Sequence, residues 1–268
     1  MNFIALSYWD IGLASLLLIF NAGLSMAFQL GLGQRLLIAA TRMVVQLTMV
    51  GLVLKALFAL ASPLLTALAA FVMVLFAGRE AMARQDRRFE GYWSYGIGTS
   101  AMMSAGLIVT VFGLTTQIHA DPWYNPRFAL PILGMILGNT MNGVSLGLDR
   151  LMSGAPLQRA AIESQLMLGA KIKQAMRGVV GDAIRAGMIP IINSMSAAGL
   201  VSLPGMMTGQ ILAGIAPVEA VKYQILIIFL IAGGTGLGTF VAVIAASRRL
   251  TDERQRLRLD RLALKKTA

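Results

Sequence analysis

The chain has 268 residues, of which 57% are apolar and only 13% charged, with a formal charge of +11 and a mean hydropathy of +0.72. A soluble domain averages about 25% charged residues, so this much apolar side chain cannot hide in one water-soluble core, and lipid must be part of the solvent. The absence of cysteine and the presence of one histidine, His119, exclude disulfides, iron–sulfur clusters, thiolate zinc sites and the usual multi-histidine metal cage.

A bilayer span needs about 20 mostly apolar residues. Seven windows qualify, at 11–32, 40–60, 63–79, 94–114, 128–148, 184–203 and 223–246. The first lacks a basic leader and carries Asp10 at its front, so it reads as a retained helix, not a cleaved signal. The expected fold is therefore all-α, a polytopic integral membrane protein of about seven transmembrane helices. One membrane domain covers 1–247, with a cytoplasmic loop at 149–182, and a basic tail follows at 248–268. The tail, with Leu250, Leu257, Leu259, Leu262 and Leu264 among arginines, reads as a short helix lying on the membrane or continuing the last span.

Of the 23 lysines and arginines, all but Lys55, Arg127 and Lys222 fall in the links after the first, third and fifth spans or in the tail. The positive-inside rule makes that side cytoplasmic and puts the N-terminus outside. The charge of +11 is then topology plus attraction to anionic lipid headgroups. No basic stretch interleaves with exposed aromatics, so nucleic acid is not an expected partner.

Small residues crowd two spans. Gly134/Gly138, Gly143/Gly147 and Gly234/Gly238 are spaced by four, the pattern that lets helix backbones approach closely. Amides are different, because an amide in hydrocarbon is costly unless it bonds a neighbour or faces a wet path. Gln46, Asn139, Asn142 and Asn193 either join helix to helix or line a translocation route. No Asp or Glu lies mid-span, which speaks against a proton relay and leaves no hard-metal cage in the bilayer. Met135, Met141, Met188, Met195, Met206 and Met207 read as apolar filler before soft-metal ligands. Pro204-Gly205 interrupts an apolar stretch. It is either an ordinary turn or a broken segment lining the path.

In the long loop, Ala160 to Leu168 forms a short apolar helix ended by Gly169. It is either a connector or the element through which an ATPase drives a permease. No phosphate-binding GxxxxGK[ST] loop occurs and no catalytic triad is available with one histidine, so the chain is not expected to be an enzyme.

The runs ILGMILGNTMNGVSLGLDR at 132–150, MIPIINS at 188–194 and GLVSLPGMMTGQILAG at 199–214 resemble the Fet-type iron-export ABC transporter permeases. Plant aluminium-tolerance half-transporters look similar. The resemblance spans about 35–250 and is densest at 130–225. It implies a bacterial inner-membrane permease subunit, paired as a homodimer with two copies of a separate ABC ATPase that binds ATP and Mg. No cofactor is expected in this chain itself. The resemblance makes Glu163, Leu166, Leu168, Gly169 and Ala170 the coupling helix that docks on the ATPase. From the residues themselves, Gln46, Asn139, Asn142, Asn193, Ser194, Pro204 and Gly205 are the candidates for the translocation path. Where an importer loop has two alanines after the glutamate, Ser164 and Gln165 stand here, which speaks against import. The implied cargo is iron or a related metal, with no ligand set identified. A sugar nucleotide or other anion is the alternative cargo, suited to Arg42 and Arg185 if they face the cavity. A stand-alone secondary transporter or a non-transporting scaffold are the readings from other classes.

Overall fold

A computed structural model describes residues 7–264; Lys265 and Lys266 of the tail lie outside the described residues. The chain divides into two compact units, Met1–Ala61 and Ser62–Ala268.

The first unit is a helix pair, α1 (Tyr8–Ala27) and α2 (Gly33–Leu60). Ser7 starts α1 with a capping box: its hydroxyl accepts from the Trp9 N–H at 3.3 Å, and its own N–H donates to Asp10 Oδ2 at 2.8 Å. At the turn, Gly33 packs on the Ala22 carbonyl and the Ser25 hydroxyl accepts from the Leu32 N–H at 3.0 Å. Leu16, Leu17, Phe20, Leu47 and Val53 are exposed, an apolar surface suited to lipid.

The second unit holds α3 (Pro63–Ala83), β1 (Arg87–Phe89), α4 (Trp93–Phe112, continued by a π turn over Gly113–Gln117) and α5 (Pro126–Leu157). Then follow α6 (Arg159–Met167), α7 (Ile172–Ala175), α8 (Arg177–Ala197), α9 (Gly205–Leu212), α10 (Pro217–Arg249) and β2 (Leu262–Leu264). Helix α5 is the centre, packed against α3, α4, α8 and α10. Asn125 caps it, accepting from the Arg127 N–H at 3.1 Å, and Pro126 fills its first turn, where no N–H is needed.

Helices α5, α8 and α10 meet at their smallest residues. A Cβ on Gly187 would lie 2.5 Å from the Gly143 carbonyl oxygen and 2.6 Å from the Thr239 methyl. One on Gly143 would sit 3.0 Å from the Gly187 oxygen, and one on Gly238 would strike the Thr140 methyl. Two apolar clusters flank this crossing. One contains Val144, Leu148, Leu151 and Met152 with Val179 and Val243. The other contains Ile132 and Ile136 with Ile191, Ile227 and Leu230.

Six helices, α1 to α5 and α10, are long and apolar enough to cross a bilayer among the described residues. The chain is thus an all-helical multi-pass membrane protein, with one short strand pair. The seventh expected window, 184–203, is also helical in its first part, but α8 begins at Arg177 and ends at Ala197. Its charges Arg177, Asp182 and Arg185 with Asn193 keep it out of the apolar set. It packs against α5 and α10, so protein takes the place of lipid on those faces.

The tail departs from the helical expectation. Leu250 is fully buried, Leu257, Leu259 and Leu262 pack on the first cluster, and β2 pairs antiparallel with β1, Arg87 opposite Leu264. Only Leu257/Leu259 and Leu262/Leu264 are spaced by two, the strand period, and a single 3-10 turn over Leu259–Arg261 separates the two pairs. The Arg249 guanidinium sits 4.2 Å over the Trp93 ring. The hydrogen bond from Arg258 holds the Asp260 carboxyl down to about 2, and that from Arg256 lowers Asp252.

Gly187→Ala should cost about 1–3 kcal/mol through forced overpacking, seen as a lower melting temperature of the purified protein. Gly138→Ala, whose Cβ meets nothing within 4 Å, should melt like the parent.

Candidate functional site

Past α8 the backbone breaks: Ala198 is extended, Gly199 has φ +86°, and its N–H donates to the Ser202 oxygen at 2.9 Å. Pro204 then stands at the N-cap of α9 and Gly205 is its first residue, so the interruption expected at Pro204-Gly205 is real and begins six residues earlier. Pro204 has no side chain to cap the helix. Gln224, reaching from α10 and only 8% exposed, supplies the acceptor instead: its Oε1 takes the Met207 N–H at 3.3 Å. The far end of α9 closes in a Schellman turn at Gly214 (φ +95°).

Between the α8 end, α9, α10 and α5 lies a cavity of about 480 Å³. Asn139, Asn193, Ser194, Ser202, Pro204 and Gln224 line it, over a floor that includes Ile191, Ile228 and Ile231. Asn139 Nδ2 donates to the Met135 carbonyl one turn back at 2.9 Å, which leaves its oxygen free to accept. Asn193 and Ser194 are exposed. Met135, Met188 and Met206 pack on the apolar cluster beside it, as filler does.

Asn142 does not join them. One turn along α5 it opens into a separate cavity of about 320 Å³ with Arg84, Asp149 and Pro190. Arg84 Nη1 donates to Asn142 Oδ1 at 2.6 Å, and Asp149 Oδ1 accepts the Asp86 N–H at 3.0 Å. The two cavities have opposite chemistry, one neutral and one charged. Gln46 belongs to the first unit, exposed on α2. Arg185 pairs with Asp182 at 2.8 Å and lines neither cavity.

The loop after α5 is ordered. Gln158 ends α5 and begins α6, so the two helices meet with no linker. Ile162, 2% exposed, and half-buried Leu166 root α6 in the core. Glu163 is held by Arg159 one turn away at 2.8 Å. Gly169 is a Schellman glycine at φ +87°, its N–H donating to Leu166 and that of Ala170 to Gln165. The turn turns Met167 and Leu168 outward, 81% and 88% exposed, beside Leu157 at 82%. Behind them the Ile172 N–H donates to Gln255 of the tail at 2.7 Å.

Gln224, Ser202, Arg84 and Asp149 are additions to the sequence reading. Gln224 had a signal: it is a lone amide in the run Tyr223-Gln-Ile-Leu-Ile, subject to the same desolvation argument as Asn139. Arg84 counted only as topology charge. Among the described residues no group of three His, Asp or Glu side chains could hold a metal.

Long apolar helices packed around polar cavities define a multi-pass helical membrane protein. Residues 8–251 match the family described as "Uncharacterised protein family (UPF0014)", and the chain belongs to that family. It is 38% identical over 231 residues to a UPF0014 membrane protein of Synechocystis, covering 85% of this chain and 87% of that one. It is 34% identical over 256 residues to the "Probable iron export permease protein FetB" of Escherichia coli, covering 96% of each chain. To "Protein ALUMINUM SENSITIVE 3" of Arabidopsis thaliana it is 30% identical over 219 residues, 82% of this chain and 78% of that one. No solved structure matches the chain.

Gln224→Leu removes the acceptor for a helix-end N–H, a loss of about 1–3 kcal/mol when the group stays buried. Amide exchange across 205–208 should quicken, while exchange in α5 stays as it was.

Proposed function

We propose that this chain is the membrane permease subunit of an ATP-binding cassette exporter that moves iron or a related metal outward across the bacterial inner membrane. A separate cassette subunit hydrolyses MgATP, and two permease chains assemble with two of those ATPases. The observation that carries the reading is the likeness to the E. coli probable iron export permease over 96% of both chains. With α8 taken as a seventh, protein-packed crossing, the N-terminus lies outside and the C-terminus in the cytoplasm, on the argument of the basic residues. That puts α6 and its outward Met167 and Leu168 on the side where an ATPase works, an apolar tip on a polar loop.

The cycle follows from the connections. ATPase closure moves α6, and because α6 follows α5 without a linker, the motion enters the helix that carries Asn139 and Asn142. The neutral cavity and the charged one then open in turn on opposite sides. The anionic-cargo alternative relied on Arg42 and Arg185. Arg185 lines neither cavity and pairs with Asp182, which removes one of the alternative's two supports.

Leu168→Asp should cut association with the neighbouring ATPase more than about tenfold, as removal of a buried apolar anchor does. Gly169→Val should do the same by fraying the end of α6, since a branched residue is strained at φ +87°. Both variants should reach the membrane at parental levels and lose metal export. Parental export by both would overturn the docking role of α6.

A further inference from the structure

We infer that the cavity between α5, α8, α9 and α10 takes its cargo as an electrically neutral solute with several hydrogen-bonding groups, not as a bare hard cation or an anion. This deepens the permease reading above and rests on it. Every polar side chain lining the cavity is neutral: Asn139, Asn193 and Gln224 bear amides, Ser194 and Ser202 hydroxyls. The charged pair Arg84 and Asp149 belongs to the other cavity.

Charge balance excludes the ions. Neutral carbonyls can contribute to a hard-cation site, but sites for a dehydrated multivalent cation usually include anionic oxygens, and iron sites draw on carboxylate and imidazole. No carboxylate or imidazole lines these walls, so nothing offsets the cost of dehydrating the ion. An anion would need arginine, lysine or the free N–H groups of a helix start. No basic side chain lines the cavity to balance an anion's charge, and Gln224 already takes one of the α9 N-terminal N–H groups, that of Met207.

Hydrogen-bond accounting then says what the cargo carries. Asn139 has used one N–H on Met135 and presents its oxygen; Gln224 has used one lone pair of its oxygen on Met207 and presents its N–H groups. A matching solute therefore offers both a donor and an acceptor, and lays a carbon face on the isoleucine floor. The volume of 480 Å³ suits a small organic molecule and far exceeds one dehydrated ion. Two solutes share this chemistry: a neutral metal chelate and a polyol.

The test is isothermal titration of the full chain with its neighbouring ATPase in lipid nanodiscs. The probes are ferric tris(acetohydroxamate), which is neutral, sucrose as the polyol, ferrous ion alone and ferric citrate. Saturable binding of the neutral chelate, or of sucrose, is expected, and which of the two binds identifies the source. Asn193→Leu, at an exposed position, and Asn139→Leu should each weaken it about tenfold with the melting temperature unchanged. Ferrous ion or ferric citrate saturating the same site, lost in those variants, would overturn the inference. So would failure of both neutral probes to bind. ATPase association is read in the same samples. If it is retained without neutral-solute binding, only this inference falls; binding of a neutral solute without ATPase association sinks the permease reading and leaves the cavity.

Discussion

The contact on which the rest of this structure depends is the crossing of α5, α8 and α10, where the α5 and α8 backbones touch at Gly143 and Gly187 and the Thr239 side chain of α10 packs against both glycines. In lipid there is no water to drive helices together, so association rests on close van der Waals fit and on what polar groups gain by meeting. Glycines at a crossing supply that fit over the largest area. They also admit α8, a helix with three charges that bare lipid would reject, by giving it protein on the faces it turns to α5 and α10.

From that crossing the two cavities follow. The α5–α8 seam is closed at Gly143 and Gly187, so polar residues near it open to one side or the other. Asn193 and Asn139 share one cavity, while Pro190, Asn142, Arg84 and Asp149 line the other. The broken chain after Ala197 is tolerable because its polar groups find partners: Gly199 bonds Ser202, and Gln224 receives the start of α9. Below, the tail closes over the loops, with β2 on β1 and Gln255 on Ile172, so the α6 region, the α3–α4 link and the end of α10 form one connected layer.

Much of this was readable in the residues. Apolar windows located the long helices, because lipid imposes a length and a composition that few other environments do. Pro204-Gly205 marked the break, since proline lacks the N–H a continuing helix requires. The desolvation argument singled out Asn139 and Asn193, which share a cavity, and Asn142, which does not. Gly169 reads equally as a docking motif and as a helix-ending glycine, and its φ of +87° makes the second role a sufficient reason for its presence.

The sequence by itself determined that this is a multi-pass helical protein, where most of its long helices run, and which amides had to find partners, because transfer energies act residue by residue. Only the tertiary structure decided that α8 is a protein-packed helix, that the tail folds back on the core and adds a three-residue strand to β1, and that Asn139 and Asn142 serve different cavities. Those outcomes turn on which neighbours each face of a helix meets, and on a pairing between Arg87–Phe89 and Leu262–Leu264 across most of the chain. Composition and spacing carry no record of either, since both are set by where distant backbones come to rest.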